Sequence, residues 1–207
     1  MTTTIRPATR ADCPQILAFI RALAAYERAP EAAIATQADL ERDGFGPTPF
    51  YSCLMAEHDG QPAGFALYFF NYSTWVGRPG IYLEDLFVEP ELRGLGIGKA
   101  LLQRVAAVAV ENGCQRLQWS VLDWNTPSID FYRAMGGDFL DEWRNVRVSG
   151  EALKRLAGNS RPDKDLLGAP VILSEAQRSR RTCVSSSGER VGDQKAQSSP
   201  ESSEAAQ

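Results

Sequence analysis

The 207-residue sequence predicts a mixed α/β domain built on a largely antiparallel sheet. Two helical patterns come first and a hairpin of two strand-like runs follows. A strand–helix–strand–helix–strand alternation then completes residues 1–157. At 43% hydrophobic and 23% charged, the composition is that of an ordinary globular core with a charged surface.

Residues 3–6 read as a short strand. Thr9, with Asp12 three positions on, has the capping pattern of a helix N-terminus. Cys13, Ile16, Leu17, Phe19, Ile20, Leu23 and Ala24 then recur at helical spacing. Thr36 opens a second helix that ends by Gly44. Residues 50–57 and 62–72 are two strands around the turn HDGQ. Residues 81–88 are the next strand, and a long helix spans 96–112 with Gly113 at its C-terminal cap. A strand at 117–122, a helix at 126–135 and a last strand at 143–148 follow. Trp119, Trp124 and Trp143 are read as core aromatics.

The composition changes near Gly158. No aromatic residue follows Trp143, and beyond Ser174 the chain is mostly polar, so 158–207 is expected to be a largely disordered tail. That tail carries as many acidic as basic residues, which leaves the whole net charge of −4 to residues 1–157. An acidic domain without a basic stripe speaks against nucleic-acid binding. No apolar run approaches the roughly 20 residues needed to cross a bilayer, so no membrane partner is expected. The N-terminal string MTTTIRPATRADC lacks the pattern of a secretory signal, and a cytoplasmic location is expected. Cys13, Cys53, Cys114 and Cys183 are too widely spaced for a zinc site or a disulfide framework, and no metal is expected. With His58 the lone histidine, acid–base chemistry falls to carboxylates, tyrosine or water.

The string RGLGIGK, residues 93–99, lies between a strand and the long helix. Its glycines allow backbone N–H groups to approach a ligand, and the helix N-terminus suits a phosphate. A Walker A loop requires one more spacer and a hydroxyl where Ala100 stands. A dinucleotide fingerprint requires its first glycine at the strand end, where VEPELR intervenes instead. A plain helix-start turn remains the alternative on these residues alone.

The surrounding LEDLFVEPELRGLGIGKALL resembles the acetyl-CoA-binding motif of the GNAT N-acetyltransferase superfamily, [QR]-x-x-G-x-[GA], with Arg93, Gly96 and Gly98 in register. WNTPSIDFYRAMG resembles the family's second signature. IRPAT-R-ADC, DGFG-PTPFYSCL, YFFNYSTW, IYLEDLFV and VLDWN are similar to the diamine acetyltransferase branch, which includes spermidine/spermine and thialysine N-epsilon-acetyltransferases. YSTW, VLDWN and GEALKRLAG look closer to the thialysine members. Ser73 stands where the polyamine enzymes tend to carry aspartate.

The resemblance implies direct transfer of acetyl from acetyl-CoA, bound as co-substrate, to the terminal amine of a small diamine or lysine-like amino acid. It makes Glu84 the water-mediated base or amine anchor, Asp85 a second contact, and Tyr132 the acid for the leaving thiolate. Strand alternation sends Glu84 and Asp85 to opposite faces. The implied cofactor contacts are Leu86, Phe87 and Val88 through backbone N–H groups, Arg93, Gly94, Leu95, Gly96, Ile97, Gly98 and Lys99 around the pyrophosphate, and Asn125, Ser128 and Tyr132. Tyr26 and Glu27 match positions on the amine side, Trp75 and Glu142 are secondary candidates there, and relatives of this branch imply a homodimer. Two other readings stay open: acetylation of a protein lysine or N-terminus, and a non-catalytic acyl-CoA-binding module.

Overall fold

The computed structural model describes residues 1–158, so the expectation for the tail lies outside the described residues apart from Gly158. The chain forms two compact units, Met1–Ala134 and Met135–Gln207. The first holds a five-stranded sheet in the order β1 (Thr3–Pro7), β2 (Ser52–His58), β3 (Gln61–Ser73), β4 (Arg78–Val88) and β5 (Leu117–Gln118). All neighbours are antiparallel except β4 and β5, which run parallel. The expected mixed, mostly antiparallel sheet is the one observed.

Helices α1 (Cys13–Tyr26) and α2 (Gln37–Phe45) precede the hairpin, and α3 (Ile97–Glu111) and α4 (Thr126–Ala134) flank β5. Thr9 and Asp12 close the expected capping box, but it opens a single 3-10 turn from which α1 continues with Pro14 in its first turn. The Arg6 guanidinium holds both Asp12 and Glu57 at 2.8 Å, tying β1 and β2 to the start of α1. Thr36 caps α2 by accepting from the Asp39 N–H at 3.2 Å.

The core has two layers. Cys13, Ile16, Leu17 and Phe19 of α1 and Leu40 of α2 pack on Cys53, Met55, Phe65, Leu67 and Phe87 of the sheet. Phe19 sits between Phe65 and Phe87, with ring centroids 5.8 and 5.5 Å away. Strand alternation puts Leu54, Ala66, Tyr68, Ile81 and Leu83 on the opposite face. There α3 contacts β1 to β4 and buries Ile97, Leu101, Leu102 and Val105.

Two features of β4 set its central and C-terminal residues apart from the rest of the sheet. Leu67 pairs with Asp85 and Tyr68 with Leu83, so Glu84 is the extra residue of a β-bulge. The ladder with β5 ends at Tyr82–Gln118, so residues 83–88 have no strand partner on that side among the described residues.

The structure corrects two expectations. The strand at 117–122 stops after two residues, because β4 bulges just beyond Tyr82 and the ladder ends there. Residues 143–148 form no strand despite their β-branched alternation. Trp143, Val146 and Val148 are exposed, and a strand with neither a ladder nor a buried face has nothing to hold it. The second unit instead carries helix α5, Gly150–Gly158, which the sequence pattern does not predict.

Candidate active site

The glycine loop has the backbone that its sequence demands. Gly94 and Gly96 have φ of +82° and +83°, in the left-handed region that side-chain-bearing residues avoid. A Cβ on either would meet nothing within 4 Å, so torsion rather than crowding requires glycine there. Gly96 is the N-cap of α3, and the buried Ile97 anchors the loop while Leu95 and Lys99 stay exposed. Gly98 lies in the first turn against the Val88 side chain, 3.6 Å from where a Cβ would stand. The first-turn N–H groups have no intrahelical acceptors, and the loop above them is open. This cradle fits a pyrophosphate.

Beside it, Leu86, Phe87 and Val88 end β4 along its unpaired edge. Phe87 is committed to the core, and the Val88 carbonyl accepts from Arg93 Nε at 3.1 Å. That bond fixes the loop's entry to the end of the strand. Because the Glu89 N–H donates to the Ala63 carbonyl, alternation turns the Phe87 N–H toward β3 as well, which corrects its expected cofactor contact. The N–H groups of Leu86 and Val88 face the open edge and are suited to stabilise a developing oxyanion.

Upstream, Glu84 is exposed and Asp85 is half-buried. Strict alternation would place Glu84 and Asp85 on opposite faces, but the bulge interrupts it. The ladder instead puts Leu83 and Asp85 on opposite faces, with Asp85 on the α1 side beside Leu67. Burial, reinforced by the negative charges of Glu84 and Glu27, pushes the Asp85 carboxyl up to about 6. Burial also raises Glu27 above the usual carboxylate range. The Tyr132 phenol, buried on α4 with its ring 5.0 Å from Trp119, is pushed up to about 12 by burial and by Glu27. Asp85, Glu27 and Tyr132 thus share one electrostatic environment, although they come from β4, the end of α1 and α4. A carboxylate poised near neutrality can take a proton from an ammonium, and a phenol that stays protonated at neutral pH can donate a hydrogen bond to a developing anion.

The remaining contacts tie these elements together. The Tyr26 hydroxyl donates to Asn125 Oδ1 at 3.0 Å, and the Ser128 N–H donates to the same oxygen at 3.4 Å. Asn125 is only 6% exposed, so this buried amide joins the end of α1 to the first turn of α4. The Arg93 guanidinium lies 4.7 Å over the Tyr26 ring and 5.8 Å from Phe87. The structure therefore gathers Tyr26, Glu27, Asp85, Arg93, Asn125, Ser128 and Tyr132 through direct contacts or shared electrostatics.

Trp75 is exposed in the turn between β3 and β4 and takes no part in these contacts. Ser73 is buried at the head of that turn and accepts from the Val76 N–H at 3.4 Å. Glu142 belongs to the second unit. Trp124 and Trp143, expected in the core, are 37% and 46% exposed. Trp124 borders the site, its ring centroid 6.1 Å from that of Tyr26, with the Arg28 guanidinium 4.3 Å above it. No motif in the sequence marks Arg28. Only its place next to Tyr26 and Glu27 could have flagged it.

Residues 15–136 match the model of the Acetyltransferase (GNAT) family. The chain is 47% identical over 165 residues to the thialysine N-epsilon-acetyltransferase of Bos taurus, covering 74% of this chain and 96% of that protein. It is 40% identical over 163 residues to the human spermidine/spermine N(1)-acetyltransferase-like protein 1, covering 74% of this chain but 23% of that longer protein. Among solved structures, an integron cassette protein from the mobile metagenome of V. cholerae aligns with a TM-score of 0.65 at 26% identity, over 76% of this chain and 99% of that one.

Proposed function

The chain belongs to the acetyltransferase (GNAT) family, and from that premise we propose that it acetylates the terminal amine of a small lysine-like amino acid or diamine with acetyl-CoA. The observation that carries this reading is the meeting of a phosphate-type cradle with a buried acid–base cluster along one open strand edge.

The residues present fit a coenzyme A group. Residues 93–99 would hold its pyrophosphate on backbone N–H groups, with Arg93 setting the loop's entry, and Asn125 and Ser128 would line the far side. Its thioester supplies an activated acyl carbon and a thiol leaving group. Glu27 and Asp85 attract the substrate ammonium. Asp85, or Glu84 through a water, takes the proton from its nitrogen. Backbone N–H groups of Leu86 and Val88 on the open edge of β4 would stabilise charge at the carbonyl oxygen, and the Tyr132 hydroxyl would donate its own proton to the departing sulfur. Direct transfer is favoured, because Cys13 and Cys53 are buried in the core and burial raises both thiols.

The relatives' names support a small amine, and 47% identity to a thialysine enzyme favours a lysine-like amino acid. The working form would be a homodimer, in line with the exposed Phe70, Tyr72, Trp75 and Val76 around the β3–β4 turn. Free cysteines at 13, 53 and 114 agree with a cytoplasmic setting.

The test is CoA release with thialysine, lysine, putrescine, spermidine, spermine and a lysine peptide, compared by kcat/KM. A small amine should lead, and Tyr132→Phe and Glu84→Gln should each lower its kcat/KM by about 10- to 1,000-fold while still folding. Full activity in both variants would refute these roles. A leading peptide would move the function to protein acetylation, and binding of CoA without turnover would leave a non-catalytic module.

A further inference from the structure

We propose that Arg28 recognises the carboxylate of an amino-acid substrate and so selects such substrates over diamines. This deepens the small-amine reading above and rests on it.

Arg28 follows Glu27 where the chain leaves α1. Its N–H donates to the Ala25 carbonyl at 3.1 Å and that of Ala29 to the Ala24 carbonyl at 2.9 Å, which closes the helix end. Its φ of +62° is one that non-glycine residues seldom adopt. The side chain then lies with its guanidinium 4.3 Å above the Trp124 ring. Cation–π attraction to the ring holds the guanidinium in place, and its N–H groups have the fork geometry that binds a carboxylate in a bidentate manner.

No acidic side chain among the described residues pairs with Arg28. Two cations near it are engaged: Arg93 donates to the Val88 carbonyl, and Arg133 lies 3.5 Å from Asp130. The surroundings connect Arg28 to the chemistry. Trp124 precedes Asn125, which accepts from Tyr26, and Glu27 influences both Asp85 and Tyr132. The three consecutive residues Tyr26, Glu27 and Arg28 thus place a carboxylate that draws the reacting ammonium beside a cation that can receive an acid. An ω-amino acid presents those two charges at its ends. A lysine-like amino acid brings a carboxylate to Arg28 beside its α-ammonium, whereas a diamine or polyamine brings the ammonium without the carboxylate and meets uncompensated like charge there.

The test compares thialysine with the diamine left when its carboxyl group is removed, in the wild type, Arg28→Gln, Arg28→Lys and Arg28→Glu. In the wild type the amino acid should be preferred. Arg28→Gln should cut that preference at least tenfold, through a higher KM for the amino acid and not through kcat, with the KM for the diamine unchanged or lowered. Arg28→Lys should keep part of the preference, and Arg28→Glu should reverse it. If Arg28 only braces Trp124, the substitutions lower both substrates together and the ratio holds, which overturns the proposal. A wild type that acetylates both equally leaves the small-amine function standing and removes the role of Arg28. A wild type that acetylates neither overturns both.

Discussion

Asp85 shows how one side chain's surroundings set a pH profile. Its carboxyl, lifted to about 6 by burial and by Glu84 and Glu27, is mostly ionised at neutral pH and mostly protonated one unit below its midpoint. With the ionised form as the proposed proton acceptor, kcat/KM should fall about tenfold per pH unit below 6. Asp85→Asn should lower kcat/KM and abolish that limb, measured with the amine in its working range. The same shift has a consequence for stability with the opposite sense. A folded carboxyl raised above its unfolded value of 3.8 binds its proton more tightly in the native state, so stability is fullest at low pH and is lost as pH rises from about 4 through about 6. Asp85→Asn should therefore stabilise the fold at pH 7, by up to about 3 kcal/mol, and give almost no gain at pH 3.5. Urea unfolding at both pH values checks this, and equal effects would mean that the carboxyl is not strained by its site. Asp85 illustrates, too, what sequence cannot show. Its residue type and apolar neighbours mark it as costly to bury, but the skipped pairing at Glu84 is a property of register with β3, which no local pattern records.

At the level of elements, what was legible is what chain-local chemistry dictates. Thr9 with Asp12, Thr36 at the start of α2 and the turn HDGQ are readable because each is set within a few residues. Residues 143–148 were misread because alternation reports a propensity for strand and not the presence of a partner. The glycine loop belongs to the readable class, and its two kinds of glycine should separate on substitution. Gly96→Ala forces a Cβ into φ +83° and should cost about 1–2 kcal/mol, with no clash to add. It should also raise KM for acetyl-CoA several-fold while the amine KM stays put, since the torsion shapes the phosphate cradle. Gly98 is helical and meets Val88 only at ordinary contact distance, so Gly98→Ala should be as stable as the parent or more so, by up to about 1 kcal/mol. Thermal and urea unfolding of the pair decides it. Equal losses would show that crowding, not torsion, governs the loop.

For the whole molecule, the division of labour follows the charge and the aromatic residues. Every aromatic residue lies at or before Trp143, and the net charge of −4 belongs to residues 1–157. Residues 159–207 hold none of the side chains assigned to the cofactor or the amine, and their balanced charge adds nothing to the attraction of a cationic substrate. The amine-side candidate Glu142 and helix α5 both precede that boundary. Cutting the chain after Gly158 should therefore keep kcat/KM for the best amine within about twofold, as expected when nothing removed touches the site. Sedimentation velocity should find both lengths as the same dimer at working concentration. A truncated protein that sediments as a monomer would place part of the interface beyond Gly158, and lost activity with the dimer intact would place part of the amine site there. Either result would move the functional boundary past the point where the aromatic core ends, and would mean that composition alone misjudged what the last quarter of the chain does.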